Sequence, residues 1–193
     1  MTVSLGYFQR YEDTVNSEII DLNEVCIIRR MSGGGTIVTD MNQIIFCTVL
    51  EKSEDWRSSI KSVCECIITA LEDFGINASY KAVNDVEVNG RKISGSGQII
   101  RNGSLAVQST LLLKQPDVSV LKNNKRKGDG LTSVYDLLGY IPDVSTIKQS
   151  IFNAVSDRFD EEIYESKFSA EEKAEIERLI KTKYSLDPYT FKQ

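Results

Sequence analysis

The spacing of apolar and polar positions changes several times along the chain. The stretch "TVSLGYF" (Thr2 to Phe8) reads as a strand that begins almost at the first residue, and "EVCIIRR" (Glu24 to Arg30) as a second, short and apolar. "GTIVTD" and "QIIFCTVLE" read as strands around a polar turn at Asp40–Asn42. From Glu54 to Phe74 the apolar residues Ile60, Val63, Cys64, Ile67, Ile68 and Leu71 recur at helical spacing. Asp55 or Ser53 can cap that helix, and Gly75 stops it. Asn84 to Lys114 has the look of consecutive hairpin strands, with Asn89-Gly90 and Asn102-Gly103 as turn dipeptides. A helix is expected over Asp143–Phe159, after Pro142, and another over Ser169–Tyr184, opened by a capping box of Ser169 and Glu172. Hairpins together with separated helices predict an α+β fold with helices packed on mixed or antiparallel sheets. Strands and helices do not alternate, which argues against a doubly wound sheet.

With 193 residues, 41% of them hydrophobic, the chain is long enough for one globular domain with a real core. The expected division is a single domain over 1–193, with 169–193 as a C-terminal helix and tail. A net charge of −5 argues against a general nucleic-acid binder. The basic run "KNNKRKGDG" (Lys122 to Gly130) reads as an exposed loop. No apolar run approaches the roughly 18 residues that span a bilayer. The N-terminal stretch has no basic, apolar and cleavage-site succession, so a cytoplasmic protein without membrane contact is expected.

Two features bear on chemistry. There is no histidine, which removes Ser-His-Asp and Cys-His catalysis and the commonest zinc ligand. Catalysis therefore rests on Lys, Arg, carboxylates, backbone amides or an oxygen-held metal. Of four cysteines, Cys26 and Cys47 lie in apolar strands and are expected to be buried. Cys64 and Cys66 are two apart on a helix and point to different faces, so they do not chelate together.

The stretch "RRMSGGGTIVTD" (Arg29 to Asp40) is not a phosphate loop of the G-x-x-x-x-G-K-[ST] kind, because its glycines come between two strands. Glycines there let a flat ligand lie on the backbone, whose amides can meet carboxylate or phosphate oxygens. In "NDVEVNGRKISGSGQ" (Asn84 to Gln98), Lys92 follows a tight turn and precedes small residues. By alternation Lys92 shares a face with Ser94 and Ser96, while Ile93 points away. Its ammonium can bind a phosphate or polarise an acyl carbonyl. Asn84 and Asp85 are oxygen donors suited to hydrated Mg²⁺. Alone, the same pattern is also that of an ordinary exposed hairpin lysine.

Taken together and in order, "VSLGYFQ", "RRMSGGGTIVTD", "NDVEVNGRKISGSGQ", "STLLL", "GLTSVYDLLG" and "SAEEKAEIERLIKTKYSLDPYT" resemble the lipoate–protein ligase family over nearly the whole chain. The resemblance implies a catalytic domain of the biotin/lipoate ligase type, related in fold to class II aminoacyl-tRNA synthetases. It implies activation of lipoate by ATP and Mg²⁺ to lipoyl-adenylate. Transfer to a lysine of a lipoyl domain of 2-oxo acid dehydrogenase subunits, or of glycine-cleavage H protein, follows. By position, Lys92 is the lysine that contacts the acyl carbonyl and the adenylate phosphate. Arg30, Gly35, Thr36, Ile37 and Val38 line the adenylate site. Arg30, Ser32, Gly33 and Gly34 line the acyl site, and Asn84 and Asp85 lie near phosphate and metal.

The chain departs from the family in three ways. It begins at the segment resembling "VSLGYFQ", without the family's earlier helix and strand. Thr39 and Gln108 stand at positions where the family usually carries histidine. The sequence shows no counterpart of the family's C-terminal accessory domain, so it resembles archaeal-type enzymes that carry that part on a second polypeptide, and a small accessory subunit is an expected partner. Octanoyltransferases that resemble this family use a cysteine nucleophile in the strand leading into the lysine hairpin. Here that stretch reads "INASYKAVNDVEV", without cysteine. Transfer without activation, or a non-catalytic subunit of a split ligase, are the alternative readings.

Overall fold

The computed structural model describes residues 1–21, 24–122 and 130–192. In chain order its elements are strand β1 (Thr2–Leu5), helix α1 (Tyr11–Thr14), strands β2 (Cys26–Arg29), β3 (Ile37–Thr39) and β4 (Gln43–Glu51), and helix α2 (Trp56–Glu72). Strands β5 (Ser79–Lys81), β6 (Asp85–Val88), β7 (Arg91–Arg101) and β8 (Ser104–Leu112) follow. Helices α3 (Val134–Leu138), α4 (Val144–Phe159) and α5 (Ala170–Leu179), a π-helical turn (Ile180–Tyr184) and helix α6 (Asp187–Thr190) complete the chain. The α+β class expected from the patterning is what forms. By its internal contacts the chain divides into two compact units. The basic run falls mostly on 123–129, outside the described residues.

The first unit comprises Met1–Thr39, Asp117–Asn124 and Ile163–Gln193. Its sheet has the order β2-β1-β3, with β2 parallel and β3 antiparallel to β1. Val3, Leu5, Val15, Val25, Val38, Val120 and Leu121 form its core. β1 ends sooner than expected because Gly6 opens a turn closed by Gln9 N donating to Gly6 O at 2.9 Å. Near the C-terminus the capping box is present, Ser169 accepting from Glu172 N and Glu172 from Ser169 N. The α5 helix it starts gives way to π-helical bonding at Ile180, and α6 follows as an element the spacing did not indicate.

The second unit comprises Asp40–Pro116 and Lys125–Glu162. Its five-stranded sheet runs β4-β8-β7-β6-β5, every neighbour antiparallel. The two Asn-Gly pairs make the turns foreseen: Asn89 and Gly90 have φ of 51° and 76°, Asn102 and Gly103 of 51° and 79°. Positive φ at both central residues is what a two-residue hairpin of right-handed twist requires. Asp55 caps α2 by accepting from Ser58 N at 3.2 Å, and Gly75, at φ 72°, follows its end. The helix buries Ile60, Val63, Cys64, Ile67 and Leu71 against the sheet and α4. "INASYKAVNDVEV" is two strands, not one: β5 and β6 pair antiparallel across a turn that holds a cis Ala82–Val83 peptide.

Two cysteine expectations fail. Cys26 and Cys47 are exposed. In β2 the residues turned inward are Ile27 and the guanidinium-bearing Arg29, which leaves Cys26 and Ile28 outside. In β4, Ile44, Phe46, Thr48 and Leu50 face the helices, and Ile45, Cys47 and Val49 lie on the opposite face. An apolar run does not by itself tell which alternate set is buried.

Candidate functional site

In the first unit the chain leaves β1 and β2 side by side and forms the glycine loop. Arg30 N donates to Leu5 O at 3.1 Å and Tyr7 N to Ser32 O at 3.0 Å, which holds the two exits together. The Arg30 guanidinium then grips the loop from within. Nη1 donates to Ser4 O at 2.8 Å, and Nη2 donates to Gly33 O at 2.9 Å and Gly35 O at 2.5 Å. Burial pulls its pKa down to about 10, which leaves it cationic at neutral pH. Gly34 takes φ of 91°, a region closed to most residues with a Cβ. Gly6 lies directly against it. A Cβ built on Gly6 would stand 2.0 Å from Gly34 O. A Cβ on Gly33 or Gly35 would meet nothing within 4 Å. Neither backbone angle nor packing therefore demands glycine at 33 or 35, and the space over both is open. Ser32 is buried at the base of the loop, and the Thr36 hydroxyl is buried without a protein partner. Ile37, Val38 and Thr39 continue as β3, with the Thr39 hydroxyl donating to Thr2 O at 3.5 Å.

The residue that organises this unit is Arg29, which the sequence alone did not single out. It is 4% exposed. Nε donates to Tyr189 O at 3.1 Å and Thr190 O at 3.0 Å. Nη1 donates to Gly6 O at 3.0 Å, Tyr7 O at 3.1 Å and Gln9 O at 2.6 Å. One planar fork thus ties the turn after β1 to α6. The alternation of Ile27 and Arg29 on the core face of β2 was the signal.

In the second unit a β-bulge decides where Lys92 points. Glu87 faces Lys92 and Val86 faces Ser94, so Ile93 is the extra residue on β7. Such an insertion lets two successive side chains point to one face. Ile93 and Ser94 are both buried on the helix side. The expected sharing of a face by Lys92, Ser94 and Ser96 is thereby overturned. Ser96 faces the helix layer, its hydroxyl 2.8 Å from that of Ser109, whereas Lys92 lies with Asp85, Glu87 and Gly95 on the opposite face. Lys92 Nζ sits 2.5 Å from Asp85 Oδ1, with the two side chains only 26% and 12% exposed. Lys81 and Glu87 pair beside them at 3.7 Å. Asn84 is fixed to the same hairpin: its Nδ2 donates to Ser96 O, and its own carbonyl accepts from Ser96 N at 3.0 Å. The backbone of Lys92 is held as well. Its N–H donates to Gly130 O at 3.1 Å and its carbonyl accepts from Thr132 N at 2.9 Å.

The structure thus gathers Arg30, Ser32 and Gly33–Gly35 in the first unit and Asn84, Asp85 and Lys92 in the second. Gln108, in β8, shares the Lys92 face, opposite Gly97 and Cys47. Among the described residues no three His, Cys, Asp or Glu side chains gather as a metal site, and no helix is long and apolar enough to cross a membrane. Thiol chemistry is poorly served. Burial pushes Cys64 and Cys66 up to about 11, and partial desolvation by its neighbours raises even the exposed Cys47, whereas a nucleophilic cysteine needs a lowered pKa.

The chain matches the model of the lipoyl protein ligase A/B catalytic domain over residues 1–156. It is 29% identical over 132 residues to lipoate-protein ligase LplJ of Bacillus subtilis, a match covering 68% of this chain and 40% of that protein. The chain thus spans well under two thirds of the length of that relative. Among solved structures it resembles the bi-partite lipoate protein ligase of Thermoplasma acidophilum with a TM-score of 0.89 at 22% identity, covering 98% of this chain and 80% of that one. Biotin protein ligase of Aquifex aeolicus aligns over 62% of the chain, and over 53% of its own, with a TM-score of 0.53 at 20% identity. With its glycine loop and lysine hairpin inside the matched residues, the chain belongs to the lipoyl protein ligase A/B catalytic domain family.

Proposed function

We propose that the protein is a lipoate–protein ligase, acting in the cytoplasm on lipoyl carrier domains. The observation that carries this reading is the placement of Lys92. An ordinary hairpin lysine extends into water, but this one is turned by a bulge onto a glycine-bearing strand face and kept three-quarters buried against Asp85. In the reaction the lipoate carboxylate attacks the α-phosphorus of ATP, and pyrophosphate leaves. The ε-amine of the carrier lysine then attacks the acyl carbonyl, and AMP leaves as the amide forms.

Bringing a carboxylate to a triphosphate pairs two anions, so positive charge must be supplied. Lys92 supplies it to the acyl carbonyl and the adenylate phosphate. Arg30 acts differently. Its donors hold the carbonyls of Gly33 and Gly35, so its part is to shape the loop and lend it a positive field. The open space over Gly33 is where the acyl carboxylate meets the backbone, with Ser32 and Gly34 beside it, and the open space over Gly35 leads along Thr36, Ile37 and Val38 to the adenylate. Mg²⁺ carried by a nucleotide keeps several waters and takes only one or two protein carboxylates. Asp85, with the amide oxygen of Asn84, would hold such an ion in that limited role, and the ion's charge would offset that of the phosphates.

The bi-partite Thermoplasma ligase was solved with its E2 lipoyl domain. By that likeness, lipoyl domains of 2-oxo acid dehydrogenase subunits or glycine-cleavage H protein are the carriers, and an accessory subunit assists activation. The test is mass spectrometry of an apo lipoyl domain incubated with the chain, ATP, Mg²⁺ and lipoate, with and without an accessory subunit. Lipoylation is expected, and Lys92→Ala should abolish transfer from synthetic lipoyl-adenylate. Gly33→Ala and Gly35→Ala should keep or slightly raise the melting temperature yet weaken acyl-adenylate binding. Equal transfer by wild type and Lys92→Ala would remove Lys92 from its role. Modification only from an octanoyl carrier, without ATP, would favour the transferase.

A further inference from the structure

We infer that Gly95 is a positioning residue for Lys92, an inference that rests on the ligase reading for its consequence in the reaction. Gly95 stands three residues after Lys92 on β7, opposite Asp85 on β6. Because the bulge inserts Ile93, the Lys92 side chain folds back over the Cα of Gly95. A Cβ built there would lie 2.2 Å from Lys92 Nζ and 2.3 Å from Cε, but 3.4 Å from Asp85 Oδ1. The last distance is an ordinary contact, and the first two are impossible ones. A single methyl group would therefore expel the ammonium and leave the carboxylate where it is.

Three features build this cell. Ile93, fully buried, anchors the bulge. Asp85 supplies the counter-charge at 2.5 Å. Gly95 supplies the room. The φ of Gly95 is not positive, so the backbone itself tolerates alanine. The displaced atoms are the far end of a flexible side chain, so the fold survives while the ammonium moves by about an ångström or more. A misplacement of that size in a reacting group is enough for about a 100-fold loss of rate.

Gly95→Ala is compared with wild type and with Ser94→Ala, whose hydroxyl lies on the other face without a protein partner. Two quantities are read. The first is the acetylation of Lys92 by limiting acetic anhydride, followed by peptide mass spectrometry with Lys81 as the internal standard. The second is kcat and KM for transfer from lipoyl-adenylate to an apo lipoyl domain. In Gly95→Ala, Lys92 labelling should rise about threefold or more, and kcat should fall about 10- to 100-fold with KM for the carrier unchanged. Ser94→Ala should match wild type in both. Unchanged labelling in Gly95→Ala overturns the inference whatever the activity, as does raised labelling with undiminished kcat. Should Gly95→Ala not fold, Lys92→Ala in the same chain must restore folding, because the collision partner is then gone. Failure of that double variant to recover also overturns the inference. A wild-type chain that transfers nothing defeats the ligase reading instead, and the labelling still decides whether Gly95 places Lys92.

Discussion

Gly6→Ala sets two effects of opposite sign against each other. Alanine restricts the unfolded chain and, where the native backbone accepts it, stabilises by about 0.4–1 kcal/mol. The φ of Gly6 is not positive, so the backbone does accept it. Against this, the new Cβ would stand 2.0 Å from Gly34 O and 2.9 Å from Gly34 C. An ordinary contact begins at 3.4 Å, so the carbonyl must retreat by 1.4 Å, the difference of 3.4 and 2.0. That carbonyl lies between Gly33 O and Gly35 O, both held by Arg30 Nη2. Moving it strains or breaks two charge-assisted bonds, each contributing about 1.5–3 kcal/mol. Partial rehydration of the loop offsets some of this. The expected net loss is about 2 kcal/mol, which for a chain of this size lowers Tm by about 4–8 °C. Urea unfolding gives the free energy, and calorimetric titration with lipoyl-adenylate gives the effect on the loop. A variant as stable as wild type, or more so, with unchanged binding would refute the argument that Gly6 fixes the glycine loop.

Arg29→Lys keeps the charge but loses the planar fork, so several buried carbonyls lose their donor. A loss of about 2–4 kcal/mol is expected in urea unfolding, with the earliest proteolytic cuts in 187–192. At pH 8, a thiol reagent should titrate Cys26 and Cys47 in the folded protein, and Cys64 and Cys66 only after unfolding. The buried thiols also set a pH dependence. Their folded pKa of about 11 exceeds the ordinary 9.0, so between these values the unfolded chain sheds protons that the folded chain keeps. Stability from the neutral thiols is complete below pH 9 and falls as pH rises towards 11, by up to about 3 kcal/mol for each thiol. Cys64→Ala should make that fall shallower, and an identical slope would show that the thiol is not its source.

Much of the framework was legible because it rests on local chemistry. The Asn-Gly turns need positive φ, the Ser169–Glu172 capping box and the Asp caps satisfy helix N–H groups, and α2 carries its apolar stripe at the helical period. These signals lie within a few residues of one another, and the elements formed where they were expected. The short elements β5, α1, α3 and α6 carry too few residues for a period to show. Which face of β2 and β4 is buried was not legible either, because Cys26 and Cys47 sit in runs that are apolar on both faces. That choice is made by the partner strands and helices.

The candidate site divides along the same line. The residue types and their order point to Arg30, the glycines, Asn84, Asp85 and Lys92, but their geometry depends on long-range pairing. Simple alternation places Lys92 with Ser94 and Ser96. The pairing of β6 with β7 inserts Ile93 and moves Lys92 to the face of Asp85 and Gly95. One residue of register therefore separates a lysine over a serine row from a lysine clamped above a glycine. The arginines show the same limit. "CIIRR" offers two adjacent cations, and sequence order favours the one next to the glycines as the ligand-binding group. In the folded chain Arg30 holds the loop through its own carbonyls, while Arg29 turns inward and ties the loop's neighbour Gly6 to the C-terminal residues. On the proposed ligase reading, substrate charge falls chiefly to Lys92, while both arginines hold the backbone around the glycines through its carbonyls.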